Sequence, residues 1–274
     1  MRAGIIGGTG QMGRFFAGVF EEADLEVMVS GRGTEITARD IAETADLVMV
    51  SVPIRATAAV IHEVAPLLTE DQVFCDLTSL KVDPVRAMLT SRAEVIGLHP
   101  MFGPGAASLR GQTIVATPAR CDPATLEGLL SIFRDQGAMI TLTTPEEHDR
   151  MMAVIQGLTH FCTLAKAEAI RQNGTDVEET LSFTSPIYRI EMGLTGRILA
   201  QDASLYGDML QMNPAIPAVL DAFEEAVRTL REIVEAGDDE RFRAFFAENA
   251  AHYASYLAAA TEETDDLINH MVSR

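Results

Sequence analysis

Two kinds of hydrophobic pattern alternate along the chain up to about residue 145, and beyond that only one persists. Short β-rich runs predict strands at residues 2–6, 25–29, 47–52, 73–76, 95–98, 113–116 and 138–141, and between them helical periodicity predicts helices at 12–22, 55–68, 84–89 and 123–136. Such alternation implies a largely parallel sheet covered on both faces. After Pro145 nearly every segment has helical spacing, punctuated at Asn173-Gly174, Ser185-Pro186, Asn213-Pro214 and Gly237-Asp238. The expected architecture is an α/β domain over residues 1–145 followed by an all-helical domain over 146–274. Apolar stretches in the second part, Ile198-Leu199-Ala200 and Phe242 to Phe246, suit a dimer interface as well as a core.

The first strand runs into Gly4-Ile5-Ile6-Gly7-Gly8-Thr9-Gly10-Gln11-Met12-Gly13. Gly8, Gly10 and Gly13 satisfy G-x-G-x-x-G between a strand and a helix, where glycine permits the tight turn, the approach of backbone to a pyrophosphate and the packing of helix on strand. That context makes the first domain Rossmann-type, with the cofactor against Gly8, Thr9, Gly10, Gln11, Met12 and Gly13 and against Val52-Pro53 after the third strand. The second strand ends Val29-Ser30-Gly31-Arg32, with no acid until Glu35. An NAD site places Asp or Glu here for the ribose 2′-hydroxyl, whereas an Arg suits a 2′-phosphate. Ser30 and Arg32 therefore favour NADP, with NAD the alternative.

Composition narrows the partners. The 274 residues fit one large domain or two of moderate size, and a hydrophobic fraction of 47% supports a real core. Forty acidic residues against 21 basic ones give a net charge of −19, which repels nucleic-acid phosphates and anionic lipid. An anionic substrate would need locally placed cations, and with only two lysines, Lys81 and Lys166, arginine must supply most of them. Cys75, Cys121 and Cys162 form no C-x-x-C pair, so neither a disulfide framework nor a metal site is expected. The apolar start is broken by Gly7, Gly8 and Gly10, and no run approaches the ~20 apolar residues of a membrane span. The reading is a soluble, cytoplasmic protein whose partner is a small molecule.

The strongest local signal for chemistry is Gly97-Leu98-His99-Pro100-Met101-Phe102-Gly103-Pro104, which puts a histidine at the C-terminal end of a strand, where open α/β sheets bind ligands. The preceding strand ends Asp76-Leu77-Thr78-Ser79-Leu80-Lys81. These two segments resemble those of prephenate dehydrogenases. So do Ser51-Val52-Pro53-Ile54, Glu147-His148-Asp149, Ile155-Gln156-Gly157-Leu158-Thr159-His160-Phe161, Ser185-Pro186-Ile187-Tyr188-Arg189 and Gly196-Arg197-Ile198-Leu199-Ala200-Gln201-Asp202. The chain is similar in particular to the dehydrogenase half of the bifunctional enteric enzyme fused to chorismate mutase, over nearly its whole length. It is expected to lack the mutase and an appended regulatory domain.

The resemblance implies oxidative decarboxylation of prephenate, or of its close analogues arogenate or 4-amino-4-deoxyprephenate, by a homodimer that dimerises and binds substrate through the helical domain. Neutral His99 would take the proton of the substrate hydroxyl, and Ser79 would help to orient it. Arg197 would hold a substrate carboxylate, with His160 beside the substrate and Arg189 and Lys81 as further cations. Arg189 and Arg197 are eight residues apart, about two helical turns. Taken singly, His160 also suits helix packing, and Arg189 an ion pair with Glu191 or Asp202. His148, in a helix start rich in acid, reads as structural.

Overall fold

A computed structural model describes residues 1–273 as two compact units, one of Met1–Gln156 with Ser204–Ala215 and one of Gly157–Ala203 with the chain from Ile216 onward. The first unit is built on seven strands: β1 (Arg2–Ile6), β2 (Glu26–Ser30), β3 (Leu47–Val50), β4 (Val73–Asp76), β5 (Glu94–Pro100), β6 (Thr113–Arg120) and β7 (Met139–Leu142). They lie in the order β2-β1-β3-β4-β5-β6-β7, and the order reverses direction at β1. The crevice beyond the carboxyl ends at such a switch is where open sheets take ligands.

Every neighbouring pair is parallel except β5 and β6. A parallel pair needs a long crossover. Residues 101–112 between these strands contain no helix to supply one, so β6 turns back on β5.

Helices cover both faces: α1 (Gln11–Glu22), α2 (Ala38–Thr44), α3 (Ile54–Val64), α4 (Val82–Met88), α5 (Pro123–Asp135) and α6 (Pro145–Met152). Alternate residues of each strand enter opposite cores. Leu47 and Met49 of β3 pack with Phe16, Phe20 and Phe133, while Val48 and Val50 pack with Ile41, Ile61 and Met88. With both faces buried, the strand is apolar at every position. Helix starts follow side-chain capping. The carboxylate of Asp122 accepts the N–H groups of Ala124 and Thr125 ahead of α5, and the Thr144 hydroxyl accepts that of Glu147 in α6. Helix α2, which hydrophobic spacing did not predict, begins with a Thr37–Asp40 capping box.

The chain continues through a π-helical segment, Ala153–Leu158, into α7 (Thr159–Asn173), α8 (Val177–Ser182), α9 (Pro186–Leu199), α10 (Ala203–Met212), α11 (Ile216–Ala236), α12 (Asp239–His252) and α13 (Leu257–Val272). Nearly all of α10 belongs to the first unit. Met209 packs with Ile54 and Leu80, and Arg55 reaches Asp208 at 2.6 Å and Gln211 at 3.0 Å.

The second unit is otherwise helical. Helix α9 packs against α7 and α13, with Lys166 of α7 bonded to Glu191 at 2.5 Å, and Phe161 meets Phe223 edge-on. Its helices bury little: α7, α8, α12 and α13 contain no buried residue, whereas Phe183 is 85% exposed and Phe246 66%. Among the described residues no helix is long and apolar enough to cross a membrane.

Candidate active site

The glycine turn sits directly after β1, at the switch in strand order. Its backbone is tied to β2, because the N–H groups of Gly7 and Gly8 both donate to the Ser30 carbonyl, at 2.8 and 3.0 Å. A side chain at Gly8 would place its Cβ 2.7 Å from Val29, and one at Gly13 would stand 2.7 Å from the Gly7 carbonyl. Gly7, which lies outside the three-glycine spacing, has φ +84, and a Cβ there would collide with the Ser51 carbonyl. Positive φ is a conformation that glycine adopts without steric cost.

Gly10 caps α1 without a side-chain bond, and no acid occupies the first turn of that helix. The N-terminus of α1 is thus left to an anion, and this bare cradle fits the pyrophosphate of a dinucleotide. Thr9 and Met12 are half-buried around it and Gln11 is exposed. Val52 is half-buried and Pro53 caps α3.

Ser30 is buried, with its carbonyl already engaged by the turn, and Arg32 is exposed in the loop that follows. Gly31 packs against Thr9, and the Thr34 hydroxyl accepts the Gly31 N–H at 2.9 Å and donates to the Ile36 carbonyl at 2.8 Å. This loop is therefore pinned at both ends around Arg32.

His99 ends a chain of hydrogen bonds at the carboxyl end of β5. Its Nδ1 lies 2.8 Å from Nε2 of His148, and Nδ1 of His148 lies 2.8 Å from Oδ1 of Asp149. Asp149 also accepts the backbone N–H groups of Lys81 at 2.8 Å and Val82 at 3.0 Å. Its own carbonyl is held by the Asn213 amide at 2.7 Å. On the other side of the ring, Nε2 of His99 lies 3.4 Å from Nε2 of Gln156, in the π-helical segment. Such segments often mark functional positions in helices.

Burial pushes the His99 imidazole well below its ordinary pKa of 6.5, helped by His148 and by the Lys81 ammonium. His148 is shifted down as well, chiefly by burial and against the pull of its bond to Asp149. Both rings are therefore neutral at pH 7.

Lys81 does not face a ligand. It is wholly buried, and its ammonium donates to Asp76 at 2.5 Å and to the Leu98 carbonyl at 2.8 Å. The expectation that it binds substrate is corrected on that ground, since its charge is spent inside the fold between the ends of β4 and β5. Thr78 also donates to Asp76. Ser79 lies half-buried in the same loop.

His148, whose helix start reads as structural, is buried and bonds directly to His99. Gln156 and Asp149 were also missed as members of this group. Their roles depend on proximity between residues far apart in the chain, 49 positions for His99 and His148, 57 for His99 and Gln156 and 68 for Lys81 and Asp149.

In the second unit, α9 carries Arg189 and Arg197, both exposed and without an ion pair among the described residues. Glu191, considered as a partner for Arg189, bonds to Lys166 instead. His160 is half-buried near the start of α7, and burial lowers its pKa.

The glycine turn at the switch in strand order and the helices that follow define a nucleotide-binding domain of Rossmann type joined to a helical domain. Residues 22–142 match the family model described as "Prephenate dehydrogenase, nucleotide-binding domain", and residues 144–248 match "Prephenate dehydrogenase, dimerization domain". The T-protein of Haemophilus influenzae is 34% identical over 268 residues, covering 96% of this chain and 70% of that protein. A Methanocaldococcus jannaschii protein described as "Probable arogenate/prephenate dehydrogenase" is 35% identical over 288 residues, covering 98% of this chain and 65% of its own length. The chain thus spans about two-thirds of the length of these relatives. The chain belongs to the prephenate dehydrogenase family. The fold agrees: the A. aeolicus prephenate dehydrogenase in complex with hydroxyphenyl propionate and NAD+ superposes with a TM-score of 0.74 at 20% identity, covering 93% of this chain and 98% of that one.

Proposed function

We propose that this protein converts prephenate to 4-hydroxyphenylpyruvate in tyrosine biosynthesis, using NADP in preference to NAD. The observation that carries this reading is His99, a buried neutral imidazole at the carboxyl edge of the sheet that also bears the glycine turn. Prephenate has a hydroxyl at C4, and its oxidation needs a base for that proton. The bound nicotinamide supplies the acceptor for the C4 hydride. With C4 a carbonyl, the ring carboxylate leaves as carbon dioxide, and its bonding electrons restore the aromatic ring as a phenolate. The proton held on His99 then returns to that oxygen, so base and acid roles fall to one residue. In the proposed site Ser79 helps to orient substrate and base.

The substrate is a dianion, and Arg197 is proposed as the partner of one carboxylate, with Arg189 and His160 as further contacts. A planar guanidinium can bind a carboxylate through two parallel hydrogen bonds. Arg197→Ala is expected to weaken prephenate binding by about 1.5–3 kcal/mol, the scale of a hydrogen bond to a charged group, with the KM for cofactor unchanged. Steady-state kinetics with each substrate varied in turn decides this. An equal rise in both KM values removes Arg197 from the substrate site.

The cofactor preference rests on Ser30 and on Arg32, which no carboxylate engages among the described residues. Higher kcat/KM is expected with NADP than with NAD, and the preference should collapse in Arg32→Ala. A wild-type preference for NAD overturns this assignment and leaves the family untouched. The helical unit is proposed to pair with a second copy, as its matched dimerization domain and its exposed apolar side chains support. Free Cys75, Cys121 and Cys162 suit the reducing cytoplasm.

The experiment that tests the whole reading compares prephenate, arogenate and 4-amino-4-deoxyprephenate, each with NAD and NADP. Prephenate with NADP should give the highest kcat/KM. A clear advantage for either amino-bearing substrate reassigns the reaction, and turnover of none of the three refutes it.

A further inference from the structure

We propose that His148, held by Asp149, is a positioning residue that fixes His99 in the tautomer with its proton on Nδ1, leaving the Nε2 lone pair as the base. This inference rests on the proposed function of His99. Its argument is a count of donors and acceptors along the hydrogen-bonded chain. Asp149 accepts two backbone N–H groups, from Lys81 and Val82, as an ionised carboxylate does. The His148 nitrogen facing that carboxylate, Nδ1, must then carry the proton of the neutral ring. Nε2 of His148 is left as an acceptor, so the proton in its 2.8 Å bond to His99 comes from Nδ1 of His99. The remaining nitrogen of His99, Nε2, is an open lone pair. The opposite arrangement would aim a bare imidazole lone pair at a carboxylate.

A second contact, independent of Asp149, agrees. The Gln156 amide nitrogen is a donor, and it stands 3.4 Å from Nε2 of His99. An Nε2–H tautomer would set donor against donor there. The amide holds the lone pair loosely, at a distance beyond the usual range for N–H donors, so a substrate hydroxyl can displace it.

When Nε2 takes the hydroxyl proton, His99 becomes an imidazolium whose Nδ1–H already points at an acceptor backed by a carboxylate. No ring must turn. The charged groups around the pair are the Lys81 ammonium, which opposes that positive charge, and the carboxylates of Asp149 and Asp76, which favour it. The proton taken up equals the proton later returned to the phenolate, so the relay stores it and consumes none.

The test begins with the intact protein labelled with ¹⁵N-histidine and free of substrate. Long-range ¹⁵N–¹H correlation spectra distinguish a protonated from a bare ring nitrogen, and the His99 signals are identified by their loss in His99→Asn. Protonated Nδ1 with bare Nε2 is expected. The opposite tautomer overturns the proposal, and because it is read on the wild-type protein it does not depend on the activity of any variant.

His148→Phe removes the acceptor and should lower kcat about ten- to a hundredfold, less than loss of the base itself, with the KM for prephenate unchanged. His148→Gln restores an acceptor oxygen and should recover part of that loss. Full kcat in His148→Phe also overturns the proposal. Because the tautomer is read without substrate, it stands apart from the proposed reaction, which fails separately if wild type turns over none of the three candidate substrates.

Discussion

Replacing His99 with asparagine lowers kcat by ~10²–10⁴, the usual scale for a general base, while the protein still folds and binds NADP. Asparagine removes the basic nitrogen but keeps a polar side chain of modest size at a site where the ring is almost wholly buried. The glycine turn and Arg32 are separate from it in the chain, so titration with NADP should give wild-type affinity. The pH profile carries a second test. His99 works only when neutral, and burial holds its pKa well below 6.5. Protonation on lowering the pH removes the lone pair, so kcat should stay level through neutrality and fall only on the acid side of 6.5. A variant with near-normal turnover would take His99 out of the mechanism.

Lys81→Met should cost about 3–5 kcal/mol of stability, as expected when one partner of a buried ion pair is removed and the other is left charged. The pair is fully enclosed, and Asp76 Oδ1 already has no hydrogen-bond partner among the described residues. Burial lowers the Lys81 pKa and the Asp76 carboxylate opposes that shift, so Lys81 depends on Asp76 to remain charged. The measurement is the urea midpoint of the intact protein, with the slope of the transition checked for change. Adding Asp76→Leu should regain part of the loss, because an apolar pair of similar bulk can replace a buried ion pair. A Lys81→Met protein as stable as wild type, with a raised KM for prephenate, would instead return Lys81 to the substrate site.

Much of the fold was legible because it is written in local patterns. Leu47 to Val50 is apolar at every position because both faces of β3 are covered, and the glycine spacing after β1 identifies a turn that admits no side chains. His99 was legible from its position at a strand end. Helix α2 was not, since it is only seven residues long and is started by a capping box rather than by a long apolar stripe. The antiparallel β5–β6 pair was hidden because a strand's direction is set by its connection and not by its composition.

The candidate site divides in the same way. Residue types suited to chemistry could be read singly, but their partners could not. By residue type Lys81 suits an anionic substrate, but its ammonium lies between Asp76 and the Leu98 carbonyl. His148 looked like part of a capped helix start, which it is, and its other ring nitrogen reaches His99. Only the folded chain reveals both uses of one side chain.

Helix α10 imposes an order on synthesis and folding. It lies after α9 in the chain, yet it supplies Met209 to the contact with Ile54 and Leu80, Asp208 to Arg55, and the segment beyond it supplies Asn213 to the Asp149 carbonyl. The two main cores of the first unit come from residues made earlier, but the unit is not complete when its own strands have left the ribosome. It waits for residues 204–215, with all of α7, α8 and α9 made in between. At ordinary rates of about 5–20 residues per second, the edge formed by Ile54 and Leu80 stays uncovered for several seconds in each new chain.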